Sequence, residues 1–188
     1  FTEGASELAG RGARLITTSC GFLALFQSEL AAAVDVPVAT SALLQIPWLQ
    51  ATLPRGRRVG VVTASAASLT PAHFRAVGAP ADTPTVGLEG TQLHRVVVGG
   101  EAEAFDVSQA RLDVAAAARR LLAAHPEVAA IVLECTNLPP YAAAVRAATG
   151  VPVYDIVSMV CWLYAGLAPK QFAAPARRPR RPRRRRRA

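Results

Sequence analysis

The sequence is poor in the residues that hold metals or close disulfides. Three cysteines and three histidines stand among 188 residues, and none of them shows the paired spacing of a zinc site. An odd number of cysteines without disulfide spacing argues against a stapled secreted scaffold and suits a reducing cytoplasm. No apolar run of about 18 residues occurs, so no stretch reads as a membrane span. No basic, apolar and small-residue succession opens the chain, which starts at Phe1 rather than Met, as a processed or incomplete polypeptide does. Acidic residues are missing from the end: Arg177 to Arg187 holds nine arginines and no acid. The formal charge of +8 belongs to that tail, because residues 1–176 carry twelve Lys and Arg against thirteen Asp and Glu. A basic-protein argument for nucleic acid therefore applies to the tail alone. Residues 173–188 are low-complexity Arg and Pro, expected to be disordered; they read as a solvated extension or as an arm for polyanions.

What is present is a repeat. Shifting the chain by 115 residues lays Cys20 on Cys135 and Val36-Pro37-Val38 on Val151-Pro152-Val153. Ile16 also falls on Ile131, Leu23 on Leu138, and Ala32 and Ala33 on Ala147 and Ala148. The period is too long for a solenoid and suits two similar α/β units. Each unit reads strand, cysteine, helix, strand.

Periodicity and punctuation give the remaining elements. Helices are expected over 1–12, 21–34, 42–53, 69–77, 107–124, 138–149 and 156–167, and strands over 15–18, 36–40, 59–63, 85–88, 128–133 and 151–155. Pro47 must bend the 42–53 helix or reset its start. Thr70 and Pro71 mark a helix start, and Asp155 suits a helix cap. Residues 91–105 show no clear period. Alternating strands and helices predict an α/β fold: two pseudo-symmetric lobes with parallel sheets flanked by helices. The expected division is a first lobe over 1–54 and a second over 55–168, closed by helix 156–167. The second unit has two strands and a long helix before its cysteine strand; the first has only one short helix. The repeat thus predicts an incomplete first lobe, with roughly 55–65 residues preceding Phe1.

Ligands of open α/β sheets bind beyond the carboxyl ends of strands, where Cys20 and Cys135 both sit, each ahead of a helix start that favours thiolate. Two facing cysteines suit a disulfide, a metal, or acid–base work. The compartment argues against the first, and the lack of further ligands against the second. For acid–base work one thiolate removes a proton from a carbon while a thiol on the other face supplies one. That places the sulfurs about 6–7 Å apart, with each group about 3–3.5 Å from the carbon. Cys161 falls on Ile46 in the repeat and is expected to be core. Glu134 is expected to point away from Cys135 in an extended strand. Glu89 reads as a loop acid or a substrate ligand, and His73, His94 and His125 as structural.

The segments Thr18 to Phe22, Glu134 to Asn137 and Val59 to Ser65 resemble the aspartate/glutamate racemase superfamily, which includes hydantoin racemases, maleate isomerases and arylmalonate decarboxylases. The resemblance runs from about Gly12 to Leu167. It implies two lobes, no cofactor, no metal, and a small carboxylate-bearing substrate, and it allows a homodimer. By position, Cys20 and Cys135 are the proton-transfer pair. Thr136 and Asn137 bind a substrate carboxylate, Gly21 offers backbone N–H, and Thr63 and Ser65 are carboxylate-binding hydroxyls. Gly21 and Phe22 replace a common Asn-Thr pair, and Asn137 replaces a common His. The expected activity is cofactor-independent racemisation of an aspartate- or glutamate-type amino acid. The alternatives are isomerisation or decarboxylation, a non-catalytic carboxylate binder, or a truncated inactive relative.

Overall fold

The structure is a computed structural model that describes residues 1–100 and 105–172. The expectation for the tail at 173–188 lies outside the described residues, as do residues 101–104 of the aperiodic stretch. The chain runs α1 (Thr2–Gly10), β1 (Ile16–Thr17), a 3-10 segment Gly21–Phe26, α2 (Gln27–Ala32), β2 (Val38–Ala39), and a 3-10 turn Ala42–Leu44 leading into α3 (Gln45–Thr52). It continues through β3 (Arg58–Val62), α4 (Pro71–Ala76), β4 (Thr85–Val86), α5 (Gln92–Val97), α6 (Val107–Ala124) and β5 (Val128–Leu133). A 3-10 turn Pro139–Tyr141, α7 (Ala142–Thr149), β6 (Val153–Tyr154) and α8 (Ile156–Leu167) complete it. Every strand pair is parallel, giving an α/β fold with one sheet ordered β1-β2 and another ordered β4-β3-β5-β6.

The 115-residue repeat is present in the backbone itself. Ile16 pairs with Val38 and Thr17 with Ala39; the same shift gives the observed pairs Ile131 with Val153 and Val132 with Tyr154. The Ile16 N–H donates to the Pro37 carbonyl at 3.0 Å, and the Ile131 N–H to the Pro152 carbonyl at 2.9 Å. Behind each cysteine the same turn forms: the Leu23 N–H reaches the Cys20 carbonyl at 3.1 Å, and the Leu138 N–H the Cys135 carbonyl at 2.9 Å. Each turn is 3-10, so the α-helix behind each cysteine starts later than its apolar period suggests.

The four-stranded sheet is the centre of the core. β3 and β5 are apolar on both sides, as strands covered by helices on both faces must be. Val62, Ile131 and Leu133 pack with Val114, Ala118 and Leu121 of α6 and Val145 of α7. On the other face Val59, Val61 and Val132 meet Ile46 and Leu49 of α3 and Phe74 of α4. Each such fully buried side chain contributes about 1.5–3 kcal/mol. At Gly60 a Cβ would stand 2.8 Å from the Leu121 side chain and 2.9 Å from Val128, so glycine lets α6 seat against β3. Residues 42–53, expected in the first lobe, reach β3 of this sheet through Ile46 and Leu49. Pro47 stands in the first turn of α3, where a missing N–H is tolerated, and so resets the helix start.

Capping follows the residues that favour it. Asp106 accepts the Ser108 and Gln109 N–H groups at 2.8 and 3.0 Å and starts α6. Asp155 accepts the Ser158 N–H at 2.8 Å, while the Ser158 hydroxyl accepts the Asp155 N–H at 2.9 Å. His73 is structural, as expected: its Nδ1 accepts the Thr70 N–H at 3.1 Å across the start of α4. Helix α8 lies against α3, where the Gln45 side chain donates to the Asp155 carbonyl at 2.9 Å and accepts the Ser158 hydroxyl at 3.2 Å. Trp48 and Trp162 stack with centroids 6.4 Å apart. Cys161 departs from its expected core role: it is exposed, although its counterpart Ile46 is buried. No helix of the described residues is long and apolar enough to cross a membrane.

Candidate active site

Cys20 follows β1 and caps the 3-10 segment in an extended conformation, φ −144° and ψ 115°. Cys135 follows β5 and stands ahead of the Pro139–Tyr141 turn. The two loops meet. The Thr136 hydroxyl donates to the Ser19 carbonyl at 2.7 Å, a bond spanning 117 residues of sequence. Gly21 is buried against Glu134: a Cβ there would overlap the Glu134 carboxyl and stand 2.7 Å from the Glu134 carbonyl. Only glycine therefore lets the Cys20 loop approach the Cys135 loop this closely.

The two thiols have unlike surroundings. Cys20 is exposed and Cys135 is half-buried. Burial pushes the Cys135 thiol up from its ordinary range; the Asn137 backbone N–H opposes this, and negative charge on Glu134 or Cys20 adds to the rise. Charge on Cys20 is thus felt at Cys135, which keeps its proton at neutral pH. The Asn137 side-chain amide stands 3.7 Å from the Cys135 sulfur, a long contact that orients the thiol.

Glu134 is the residue whose part the sequence did not reveal. It is 2% exposed. The Thr63 hydroxyl donates to its Oε2 at 2.7 Å. Burial raises its carboxyl to about 7, and the Thr63 hydrogen bond offsets part of that rise. The register explains the pair: Val62 lies beside Leu133, so Thr63 and Glu134 follow side by side as the strands end. A signal existed in the acid that ends an otherwise apolar strand.

The expected carboxylate-binding side chains have different surroundings. Thr63 is fully buried and its hydroxyl is given to Glu134. Ser65 is turned inward, donating to the Ser68 hydroxyl at 3.0 Å and accepting the Ser68 N–H at 3.3 Å. Thr136 donates to Ser19, and Asn137 stays exposed beside the sulfur. Next to them the Glu89 carboxylate accepts the Ala66 and Ala67 N–H groups at 2.5 and 3.3 Å. Desolvation works to raise its carboxyl, but its own backbone N–H, those of Ala67 and Ala66, and the nearby His94 hold it below the usual range. Glu89 therefore organises the loop after β3. The structure brings Cys20, Gly21, Thr136 and Asn137 together around Cys135, with Thr63 and Glu134 behind. Among the described residues no group of three or more His, Cys, Asp or Glu side chains is placed to hold a metal ion.

Comparison with known proteins gives a consistent picture. A sequence model of the Asp/Glu/hydantoin racemase family matches residues 5–164. A dimethylsulfoniopropionate lyase of Durusdinium sp. clade D is 34% identical over 153 residues, covering 78% of this chain and 50% of the relative. Dimethylsulfoniopropionate lyase 5 of Emiliania huxleyi is 33% identical over 165 residues, covering 84% of this chain and 32% of the relative. The chain spans about half the length, or less, of these curated relatives. Among solved structures, arylmalonate decarboxylase superposes with a TM-score of 0.62 at 20% identity, over 89% of this chain and 74% of that one. Glutamate racemase of Thermus thermophilus gives 0.57 at 25% identity, over 88% and 59%.

Proposed function

Because the chain belongs to the Asp/Glu/hydantoin racemase family, we propose that it moves a proton at the carbon next to a substrate carboxylate, with Cys20 and Cys135 as the proton-handling groups. The observation that carries this reading is the meeting of the two cysteine loops, joined by the bond from Thr136 to Ser19 and by the contact of Gly21 with Glu134. The thiols differ in a useful way. Exposed Cys20 is the base in its thiolate form, and half-buried Cys135 is the acid that holds its proton. A positioned acid or base of this kind is worth about 10²–10⁴-fold in rate. No cofactor is required for this step.

The finer reading we favour is elimination from a sulfonium-substituted carboxylate, because curated relatives at 34% and 33% identity carry the name dimethylsulfoniopropionate lyase. The Cys20 thiolate takes a proton from the carbon next to the carboxylate. The electron pair left behind forms the double bond to the neighbouring carbon, the carbon–sulfur bond breaks, and neutral dimethyl sulfide departs. Acrylate remains and the proton rests on Cys20. The Cys135 S–H donates to the charge that develops on the carboxylate oxygens. The unlike environments of the thiols suit a reaction that runs one way.

The second reading is racemisation, favoured by the matched positions of both cysteines in the repeat. Here Cys135 delivers its proton to the opposite face. The test uses the full gene product in D2O. Dimethyl sulfide in the headspace with acrylate in solution is the expected result with dimethylsulfoniopropionate. A deuterated D-amino acid from L-aspartate or L-glutamate would transfer the assignment to racemisation. A folded protein that does neither, and exchanges no proton next to a carboxylate, overturns the proposal.

A further inference from the structure

The acid that ends β5 occurs in one half of the repeat only. The 115-residue shift lays Glu134 on Ser19, which is neutral and exposed. Glu134 is instead buried between the two cysteine loops. Its N–H continues the sheet, donating to the Val62 carbonyl at 2.9 Å. Its side chain lies against Gly21, the residue after Cys20, and its own chain leads directly into Cys135. The carboxyl thus touches the neighbour of one thiol and is carried by the neighbour of the other. Charge on it is felt at the Cys135 sulfur.

Nothing nearby answers that charge except the Thr63 hydroxyl. Among the described residues no Lys, Arg or His is paired with Glu134. Of the elements packed on β5, α3 and the Ala42–Leu44 turn carry no titratable residue. β3 carries Arg58, bound to Asp82 at the far end of the strand. β6 carries Tyr154, and Asp155 beyond it caps α8. On α6, Arg120 donates to the Gly87 carbonyl, Asp113 accepts the Gln109 amide, and Arg111 and Arg119 are exposed. His73 meets the Phe22 ring, with centroids 5.4 Å apart, and its Nδ1 is given to Thr70. The titratable neighbours left are the two thiols, which carry negative charge or none.

A substrate carboxylate brings a further negative charge to this cluster. The reacting carbon stands about 3–3.5 Å from each sulfur, and the carboxylate is one bond beyond it. Nearby carboxylates with no cation between them disfavour joint ionisation. We propose that Glu134 couples the binding of a substrate carboxylate to the uptake of a proton by its own carboxyl. The proposal rests on the reading that the cysteine pair is the substrate site. Glu134 titrates near 7 in the free protein, and the bound carboxylate moves it higher. Well below 7 the proton is already in place, and binding takes up none. Above 7 it must come from solvent, so by linkage binding weakens as pH rises. A charge about 10 Å away, across an effective dielectric of about 20, changes affinity on the order of tenfold.

The test is isothermal titration calorimetry on the full gene product carrying Cys20→Ser, which removes the proposed base and leaves Glu134 in place. The ligands are dimethylsulfoniopropionate and L-aspartate, each titrated in buffers of different ionisation enthalpy. The dependence of the apparent enthalpy on buffer counts the protons taken up. For a tenfold coupling, binding should take up about half a proton at pH 7.5 and about a tenth at pH 6, and affinity should fall about sevenfold from pH 6 to 8.5. In the same background Glu134→Gln should abolish the uptake and the fall. Thr63→Val, which keeps the carboxyl but removes the bond favouring its charge, should lower the uptake at pH 7.5. Binding without proton uptake at pH 7.5, or uptake unchanged in Glu134→Gln, overturns the inference and leaves the cysteine reading standing. Failure of both ligands to bind overturns the cysteine reading and the inference with it.

Discussion

Replacing Glu134 with glutamine tests the buried carboxyl that joins the two cysteine loops. In the folded protein Glu134 titrates near 7, against an ordinary value of 4.5, because burial disfavours its charge. A carboxyl raised on folding binds its proton more tightly in the native state. Its stabilising contribution is complete below the unfolded value of 4.5, declines as pH rises through the window to about 7, and is flat above. The loss across the window is about 3 kcal/mol, from about 1.4 kcal/mol per pH unit. Glutamine keeps the shape and an acceptor for the Thr63 hydroxyl but has no proton to lose. The assay is urea denaturation of the parent and Glu134→Gln at pH 4.5, 6 and 8. All other titrations cancel in the difference between the two curves. That difference should shift toward glutamine by about 3 kcal/mol between the two extremes. A difference that stays constant within about 0.5 kcal/mol refutes the buried-carboxyl argument, since additivity holds about that closely for unrelated sites.

Other outcomes follow from the same geometry. Thr63→Val removes the hydrogen bond that holds the Glu134 carboxyl down, so the midpoint of that pH dependence should move above 7 in the same denaturation series. Gly21→Ala pushes a Cβ into the Glu134 carboxyl; it should cost about 1–3 kcal/mol by denaturation and lower activity by separating the cysteine loops. Asp155→Ala removes the cap accepting the Ser158 N–H and should cost about 1 kcal/mol, seen as a lower thermal midpoint.

The elements easiest to read in the sequence were those with local signals. Helix α6 has a long apolar period and an Asp106 cap, β5 is a run of six apolar residues, and α8 opens on Asp155; all three have the expected bounds. The repeat was legible because identical offsets need no knowledge of contacts. What was not legible depends on partners distant in the chain. Glu134 was expected only to point away from Cys135, yet its environment is made by Thr63 at the end of a neighbouring strand and by Gly21 on another loop. Thr63 and Ser65 have the right chemistry for a substrate carboxylate, but their hydroxyls are engaged by Glu134 and Ser68. Cys161 was expected in a core because its counterpart Ile46 is apolar, yet Ile46 packs on β3 while Cys161 is exposed.

The most direct measurement is the rate at which the proton next to a substrate carboxylate is lost, followed by NMR in D2O with the full gene product and its single variants Cys20→Ser and Cys135→Ser. Both variants should slow that loss by at least about a hundredfold while remaining folded. Unchanged loss in both would show that neither thiol handles the proton.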